Sequence, residues 1–241
     1  MIFKVIIIMC LLFSIDVYAE FAKKITCSTA IFEPYVINNI KERKGIDIDI
    51  LNAVAKKLNW QINYQYYPWA RLLYMAKSKR VNCMFSAAFE LRRAKYLDYI
   101  STPLHTTRYY IFSKASSNIT HLHTLKNKSI GIHRGFEFPE PLASMVVNKE
   151  LHAIEAKTEF ELFNMLSLDR VDTVLTDKKV GEFYSSHIKN MTSFPLIHSG
   201  LPTYLTFKKD FLTSKELEQL HVALASVMND KVLMERISSQ Y

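Results

Sequence analysis

The chain alternates between short apolar runs and longer segments in which apolar residues recur three or four positions apart. The short runs are typical of buried strands, and the longer segments are typical of helices with one face on a core. The predicted strands are Lys24–Thr29, Ile62–Tyr66, Val81–Phe85, Ser129–His133, Leu151–Ile154 and Val171–Leu175. The predicted helices are Asp49–Leu58, Trp69–Ala76, a segment ending at Met145, Thr158–Leu168, Lys179–Ser186, Ser214–Met228 and Lys231–Ser239. This alternation predicts an α/β fold.

Two extended segments divide this pattern into two α/β units. Arg108–Ser113 leads away from the first unit, and Thr203–Phe207 leads back towards the last helices. Two units joined by two crossings predict two lobes with a cleft between them. We expect residues 20–108 and 206–241 to form the first lobe and residues 109–205 to form the second.

Two of the helices carry start signals. Thr158 followed three residues later by Glu161 matches a capping box. Ser214 precedes an apolar-periodic segment with two glutamates near its first turn, so we expect Ser214 to cap that helix.

The N-terminus has the pattern of a secretory signal. Lys4 supplies a positive start, Val5–Ile15 is almost unbroken apolar sequence, and Val17-Tyr18-Ala19 offers small residues before a cut. We expect residues 1–19 to be a cleaved signal peptide and the mature protein to be periplasmic. An uncleaved N-terminal anchor is the alternative, although the apolar run is short for a membrane span.

Composition and motif content narrow the class of protein further. The net charge is +8, but the basic residues are scattered and match no nucleic-acid motif, which predicts a solvated basic surface and no nucleic-acid partner. Five glycines in 241 residues, with no phosphate-loop or dinucleotide fingerprint, indicate no nucleotide cofactor. No Cys/His cluster has the spacing of metal ligands, so we expect neither a metal nor any other cofactor.

Two cysteines lie beyond the predicted signal peptide. Cys27 and Cys83 both fall in apolar, strand-like stretches. An oxidising compartment permits a bridge, but paired cysteines in buried strands are more often inert packing thiols. The sequence favours thiols and leaves the bridge open, because bridging depends on Cβ geometry.

The stretch Asn82–Pro103 carries the candidate chemistry. A short apolar strand ends in small residues and is followed by Arg92 and Arg93. The planar guanidinium group of an arginine matches a carboxylate through two hydrogen bonds. Ligands of α/β sheets bind at the carboxyl ends of the strands, which is where this arginine pair lies. The stretch therefore predicts a receptor for a small acidic molecule.

Several segments together resemble the family 3 bacterial extracellular solute-binding proteins, the amino-acid-type receptors. The segments are Phe32-Glu33-Pro34-Tyr35, Gly45-Ile46-Asp47-Ile48-Asp49, the arginine-to-proline stretch, Ile130-Gly131 to Gly135, and Arg170-Val171-Asp172 leading to Asp177. The resemblance covers residues 25–241 and implies the type II periplasmic binding protein fold, in which two α/β lobes are joined by two crossing hinge strands around a ligand cleft.

The resemblance implies roles for particular residues. Arg93 fits the position that holds the ligand's α-carboxylate better than Arg92 does, and Asp177 falls where the family binds the ammonium group. Asp177 is equally suited to cap the helix that follows it. Aromatic residues near the end of the first strand would stack on the ligand. The residues expected at the ligand site are Tyr35, Trp69, Ser86, Ala88, Arg93, Gly135, Phe136 and Asp177.

The chain also departs from the usual pattern of these receptors. Ala88 stands where many of them carry a hydroxyl, Phe136 stands where a threonine is common, and Asn82 replaces an aspartate. The segment from Arg93 to Pro103 is one residue longer than usual. These changes favour a larger or less polar ligand.

Taken together, these features predict a monomeric receptor that is not an enzyme. It would capture an amino acid or organic acid by hinge closure and deliver it to an inner-membrane ABC permease. One alternative is an enzyme on the same fold, similar to cyclohexadienyl dehydratase, with Glu90 or Glu137 as general acid or base. The other alternative is a sensory protein that acts on a separate partner.

Overall fold

The computed structural model describes residues 22–37, 39, 42–196 and 200–241. The predicted signal peptide lies outside these residues. The strands are β1 (Lys23–Thr29), β2 (Trp60–Tyr66), β3 (Cys83–Ala88), β4 (Leu97–Tyr99), β5 (His105–Thr107), β6 (Tyr109–Lys114), β7 (Lys128–His133), β8 (Leu151–Ala156), β9 (Thr173–Asp177), β10 (Met191–Pro195) and β11 (Leu201–Lys208). The helices are α1 (Ile46–Lys57), α2 (Trp69–Lys77), α3 (Leu142–Val147), α4 (Glu159–Ser167), α5 (Lys178–Ser185), α6 (Ser214–Met228) and α7 (Lys231–Ser238).

The strands form two separate mixed sheets, as the α/β pattern predicted. The first is six-stranded in the order β2-β1-β3-β11-β4, with β5 beside β11. In it β1 runs parallel to β2 and β3, while β11 runs antiparallel to its neighbours. The second is five-stranded in the order β10-β6-β9-β7-β8. We call described residues 22–107 and 201–241 the first lobe and residues 108–196 the second lobe.

The chain changes sheets at two places. Thr107 ends β5 on the first sheet and Tyr109 begins β6 on the second, so Arg108 alone separates the two sheets there. The return lies between β10 and β11. Leu201 and Thr203 pair with β5, so residues 201–205 belong to the first sheet. The sequence had assigned these residues to the second lobe.

Apolar side chains of α1 form the centre of the first lobe. Ile48, Ile50 and Leu51 are fully buried. They belong to one cluster with Leu220 and Leu224 of α6, so a helix from near the C-terminus completes the core of the first sheet. In the described part of the chain, no helix has the length and apolarity needed to cross a membrane.

Two predicted helix starts can be compared with the structure. The Thr158 hydroxyl accepts a hydrogen bond from the Glu161 amide at 3.1 Å, which confirms this cap. The expected Ser214 cap is wrong, because Thr213 is the cap and accepts from the Glu216 amide at 3.3 Å. Ser214 is the first helical residue instead. Glu216 completes a capping box by accepting from the Thr213 amide at 2.9 Å, a bond that a cap at Ser214 would not allow.

Acidification is expected to weaken the anchoring of α6 to β1. Hydrogen bonds from the Lys23 ammonium group and then from the Thr213 amide hold the pKa of Glu216 at about 2, below its ordinary 4.5. A carboxylate with a lowered folded-state pKa stabilises the fold above its unfolded pKa and loses this effect as the pH falls through the folded value. Glu216 is partly exposed, so the pair contributes at most about 1 kcal/mol.

The measurement is urea unfolding of the wild type and Glu216→Gln between about pH 6 and pH 3. Glutamine keeps the capping geometry and removes the charge. The wild type should be the more stable protein at the higher pH, and the gap should narrow towards the lower pH. A gap that stays constant over this range would show that the ion pair contributes nothing.

The two cysteines form a disulfide, which the sequence had left open while favouring free thiols. Cys27 of β1 lies directly opposite Cys83 of β3 in the parallel pair, with their Cα atoms 4.4 Å apart. This separation is within the range that a disulfide can bridge. The bond joins neighbouring strands in the interior of the first sheet, where each cysteine is 1% exposed.

Candidate functional site

A cavity of about 300 Å³ lies between the two lobes and is lined by residues of both sheets. The ends of β1, β3 and β7 reach it through Thr29, Ala88 and His133. The carboxyl ends of parallel strands are the usual ligand edge of an α/β sheet. Most of the wall is apolar. Its aromatic members are Phe32, Trp69, Phe89, Tyr109, Phe136 and Phe138.

Arg93 lines this cavity and is almost completely buried. Only 5% of the residue is exposed, and its guanidinium carbon lies 5.7 Å from the centre of the Trp69 ring. Its Nη1 donates to the Ala88 carbonyl at 3.3 Å, and its Nη2 forms an ion pair with Glu90. A guanidinium group has more N–H donors than these contacts use. Further donors therefore remain for a carboxylate ligand.

Arg92 faces a different environment from its neighbour. Its side chain is 61% exposed, and it forms ion pairs with Glu90 and with Glu137 of the second lobe. Of the two arginines that the sequence left open, Arg93 is the one that the structure places in the cavity wall.

Phe136 of the second lobe contacts aromatic residues of the first lobe. Its ring stacks on His133 at a centroid distance of 4.9 Å. It also meets Phe32 at 6.0 Å and Trp69 at 6.1 Å, both edge to face. Edge-to-face contacts at this distance are favourable. Phe136 therefore packs between the lobes, while Trp69 and Phe136 both line the cavity, as does Ala88.

Gly135 of the second lobe lies against Ala70 of α2. Its φ is +88°, and a Cβ atom built on it would lie 3.1 Å from the Cα and Cβ atoms of Ala70. A positive φ favours glycine because a side chain clashes with the backbone in this region. The turn after β7 therefore depends on glycine both for its conformation and for its contact with the first lobe.

Gly135→Ala is expected to destabilise the protein by about 1–2 kcal/mol, the usual cost of a left-handed alanine. The added methyl group also presses on Ala70, so the closed arrangement of the lobes should be disfavoured. Thermal unfolding and ligand affinity, measured on the same variant, should both decrease. Wild-type values for both would show that the turn tolerates a side chain.

Asp177 and Tyr35 are brought together outside the cavity wall. Asp177 ends β9, is 2% exposed and caps α5 by accepting from the Lys179 amide at 2.9 Å and the Val180 amide at 3.3 Å. Its other oxygen accepts from the Arg108 amide at 2.8 Å. The Tyr35 hydroxyl donates to Asp177 at 3.2 Å across the lobes. Burial, and then the charge of Asp177, raise the pKa of Tyr35.

The Ser86 hydroxyl is engaged within the first lobe. Ser86 lines the cavity, but its Oγ donates to Asp47 Oδ2 at 2.5 Å. Asp47 is fully buried, and its other oxygen is 2.9 Å from His105 Nδ1. The His105 ring stacks on Tyr35 at a centroid distance of 3.7 Å. A chain of polar and ring contacts thus leads from the cavity edge to the Tyr35–Asp177 bond.

The comparison with known families is decisive for the class of protein. The model of the bacterial extracellular solute-binding proteins, family 3, matches residues 13–241. The chain belongs to this family. As a family 3 solute-binding protein it is 23% identical over 223 residues to the arginine-binding extracellular protein ArtP of Bacillus subtilis (strain 168), with 91% of this chain and 86% of ArtP covered. It is 24% identical over 238 residues to the L-cystine-binding protein TcyA of the same organism, covering 94% of this chain and 84% of TcyA.

Solved structures agree with the predicted two-lobe binding-protein fold. An ancestral arginine-binding protein bound to arginine superposes with a TM-score of 0.78 at 22% identity, covering 92% of this chain and 99% of that one. A structure from a study of glutathione import through GshT and TcyBC of Streptococcus mutans gives a TM-score of 0.79 at 15% identity, covering 91% and 95%. Both relatives, ArtP and TcyA, are binding proteins.

Several wall residues of this solute-binding protein were not predicted as ligand contacts. His133 is 2% exposed, and its Nδ1 lies 3.4 Å from a carboxylate oxygen of Glu159, which is equally buried. Burial first, and then the charge of Glu159, raise the pKa of Tyr109 to about 12, so its hydroxyl stays protonated at neutral pH. Glu90 was expected only as the general acid or base of the alternative enzyme. Its spacing of three residues from Arg93 could have indicated an ion pair.

Proposed function

We propose that this chain is an exported receptor that captures an amino acid or a related carboxylate in the cavity between its lobes. The observation that carries the proposal is Arg93, a nearly buried guanidinium group on the wall of a largely apolar cavity. A charge-assisted, two-point hydrogen bond in such surroundings anchors a carboxylate strongly. The amino-acid ligands named for ArtP and TcyA support the same class of ligand.

The cellular setting follows from family membership and from the N-terminal pattern. An apolar run behind Lys4 and the Val17-Tyr18-Ala19 cleavage pattern support export to the periplasm after removal of residues 1–19. The partner that we propose is an inner-membrane ABC permease, to which the loaded monomer delivers its ligand. ArtP, an arginine-binding extracellular protein, supports the exported location, and TcyA supports the binding role.

Ligand capture works by closure of the lobes. Two side-chain contacts bridge the lobes: Arg92 pairs with Glu137, and the Tyr184 hydroxyl donates to Glu33. A ligand favours the closed form only through contacts that this form adds. A carboxylate held by Arg93 would meet Phe136 and His133 of the second lobe only when the lobes are together.

A thermal-shift screen tests the proposed function. The protein beginning near Glu20 is unfolded and refolded to remove retained ligand, then screened against amino acids, polyamines and organic acids. A ligand at one hundred times its dissociation constant should stabilise the protein by about 2.7 kcal/mol. Stabilisation by amino acids or other carboxylates supports the proposal. Stabilisation by polyamines alone, or by no compound of the panel, would refute it.

A further inference from the structure

We propose that Glu90, rather than Asp177, receives the ammonium group of the ligand, so that Arg93 and Glu90 of one lobe hold both charges of an α-amino acid with an apolar side chain. This inference rests on the proposed function and specifies its ligand. It departs from the role that the resemblance gave to Asp177.

Both carboxylate oxygens of Asp177 already accept hydrogen bonds from the protein. One of its oxygens accepts from the Lys179 and Val180 amides and from Tyr35, and the other accepts from the Arg108 amide. Among the described residues that line the cavity, Asp177 is absent, and it is 2% exposed. An ammonium group could reach it only by displacing the Tyr35 hydroxyl or by breaking the helix cap.

Unlike Asp177, Glu90 lies in the wall of the cavity. Its side chain is 25% exposed, so its carboxylate is within reach of a ligand. One oxygen pairs with Arg93 and the other accepts from Arg92 Nε at 2.5 Å. A carboxylate has about four lone-pair positions, so both oxygens can accept a further hydrogen bond.

The pairing of Glu90 with Arg93 matches the chemistry of an α-amino acid. The carboxylate and the ammonium group of such a ligand are attached to the same carbon atom, so their receptors must be close neighbours. The Arg93 amide donates to the Glu90 carbonyl at 2.9 Å, so a tight backbone turn fixes the two residues side by side. A zwitterion would add no net charge to this ion pair, whereas a simple acid would compete with Glu90 for Arg93.

The rest of the wall specifies the side chain of the ligand. Glu137, the other carboxylate among the described wall residues, is 66% exposed and already pairs with Arg92. Apart from Glu90 and the exposed Glu137, the described wall residues include no carboxylate for a cationic side chain. Trp69, Phe32 and Phe136 instead supply aromatic surface. A volume of about 300 Å³ is at the lower end for small-molecule sites and suits one amino acid.

Isothermal titration with matched ligands tests this assignment. L-phenylalanine and 3-phenylpropionate differ only in the ammonium group, and L-leucine and L-arginine test the side chain. The wild type should bind phenylalanine or leucine more tightly than arginine. Glu90→Gln should weaken binding of the preferred neutral amino acid about tenfold or more, the size of one lost charge-assisted hydrogen bond. Binding of 3-phenylpropionate should stay the same or tighten.

Two further variants act as controls. Glu182→Gln makes the same chemical change on the exposed face of α5 and should bind like the wild type. Asp177→Asn keeps a capping oxygen and removes the charge, and it should also retain affinity. Thermal unfolding of each variant verifies that it is folded.

The results that would overturn the role of Glu90 differ from those that would refute the proposed receptor function. Unchanged or tighter amino-acid binding by Glu90→Gln would show that Glu90 only competes with the ligand for Arg93. Loss of affinity in folded Asp177→Asn would restore the ammonium site to Asp177. Preference for arginine, or binding of other carboxylates without these neutral amino acids, would overturn the inference and leave the proposed receptor standing. Only the absence of all amino-acid and carboxylate binding would remove both.

Discussion

Arg93→Ala will lower the affinity for carboxylate ligands by about 30-fold to a few thousandfold. This range corresponds to about 2–5 kcal/mol, the usual effect of truncating one partner of a buried, hydrogen-bonded charge pair. The guanidinium group lies against Trp69 with 5% of the residue exposed, so water cannot replace the lost donors well. Titration of refolded protein with the best ligand from the screen measures the loss.

Two further variants distinguish the two-point hydrogen bonding of Arg93 from the effect of its positive charge alone. Arg93→Lys keeps the positive charge but lacks the planar fork, so it should recover only part of the affinity. Arg92→Ala removes the neighbouring, largely exposed arginine and should have a much smaller effect. If Arg92→Ala abolishes binding while Arg93→Ala binds normally, the carboxylate anchor has been assigned to the wrong arginine.

Reduction of the disulfide will destabilise the protein by about 4 kcal/mol. Cys27 and Cys83 are 56 residues apart, and closing a loop of this length removes a corresponding amount of conformational entropy from the unfolded chain. The bond spans β1 and β3, so the first lobe carries the loss. Urea unfolding of the wild type with and without a thiol reductant measures the difference.

The double variant Cys27→Ala/Cys83→Ala provides the control. It should unfold near the midpoint of the reduced wild type, and reductant should not change it further. Both cysteines are buried, so the variant also loses a little packing. Equal midpoints for oxidised and reduced wild type would contradict a stabilising bond.

The strand and helix types were predictable because apolar periodicity is local. The predicted α2 and β7 segments differ from the observed Trp69–Lys77 and Lys128–His133 by one residue at an end. The short β4 and β5 were missed, since three residues show no periodicity. β10 was missed because none of its residues is fully buried, so it carries no apolar pattern.

The site was predictable only in part, because burial and strand order are not local properties. The family resemblance favoured Arg93 over Arg92 as the carboxylate anchor, and the structure places Arg93 in the cavity wall. For Asp177 the sequence could not choose between capping and ligand binding, because the choice depends on contacts with Tyr35 and Arg108. The Cys27–Cys83 bond required knowing that β1 and β3 are neighbours.

Phe136 has a consequence for how long a ligand stays bound. Its ring contacts Phe32 and Trp69 of the opposite lobe, and separating the lobes would expose all three surfaces to water. Phe136 is partly buried, so exposing its ring costs less than the ~1.5–3 kcal/mol of a fully buried phenylalanine. This cost adds to the barrier for opening, so it should lengthen the residence time of the ligand. The permease that we propose as partner would therefore have to supply contacts that offset the loss of the Phe136 contacts with Phe32 and Trp69.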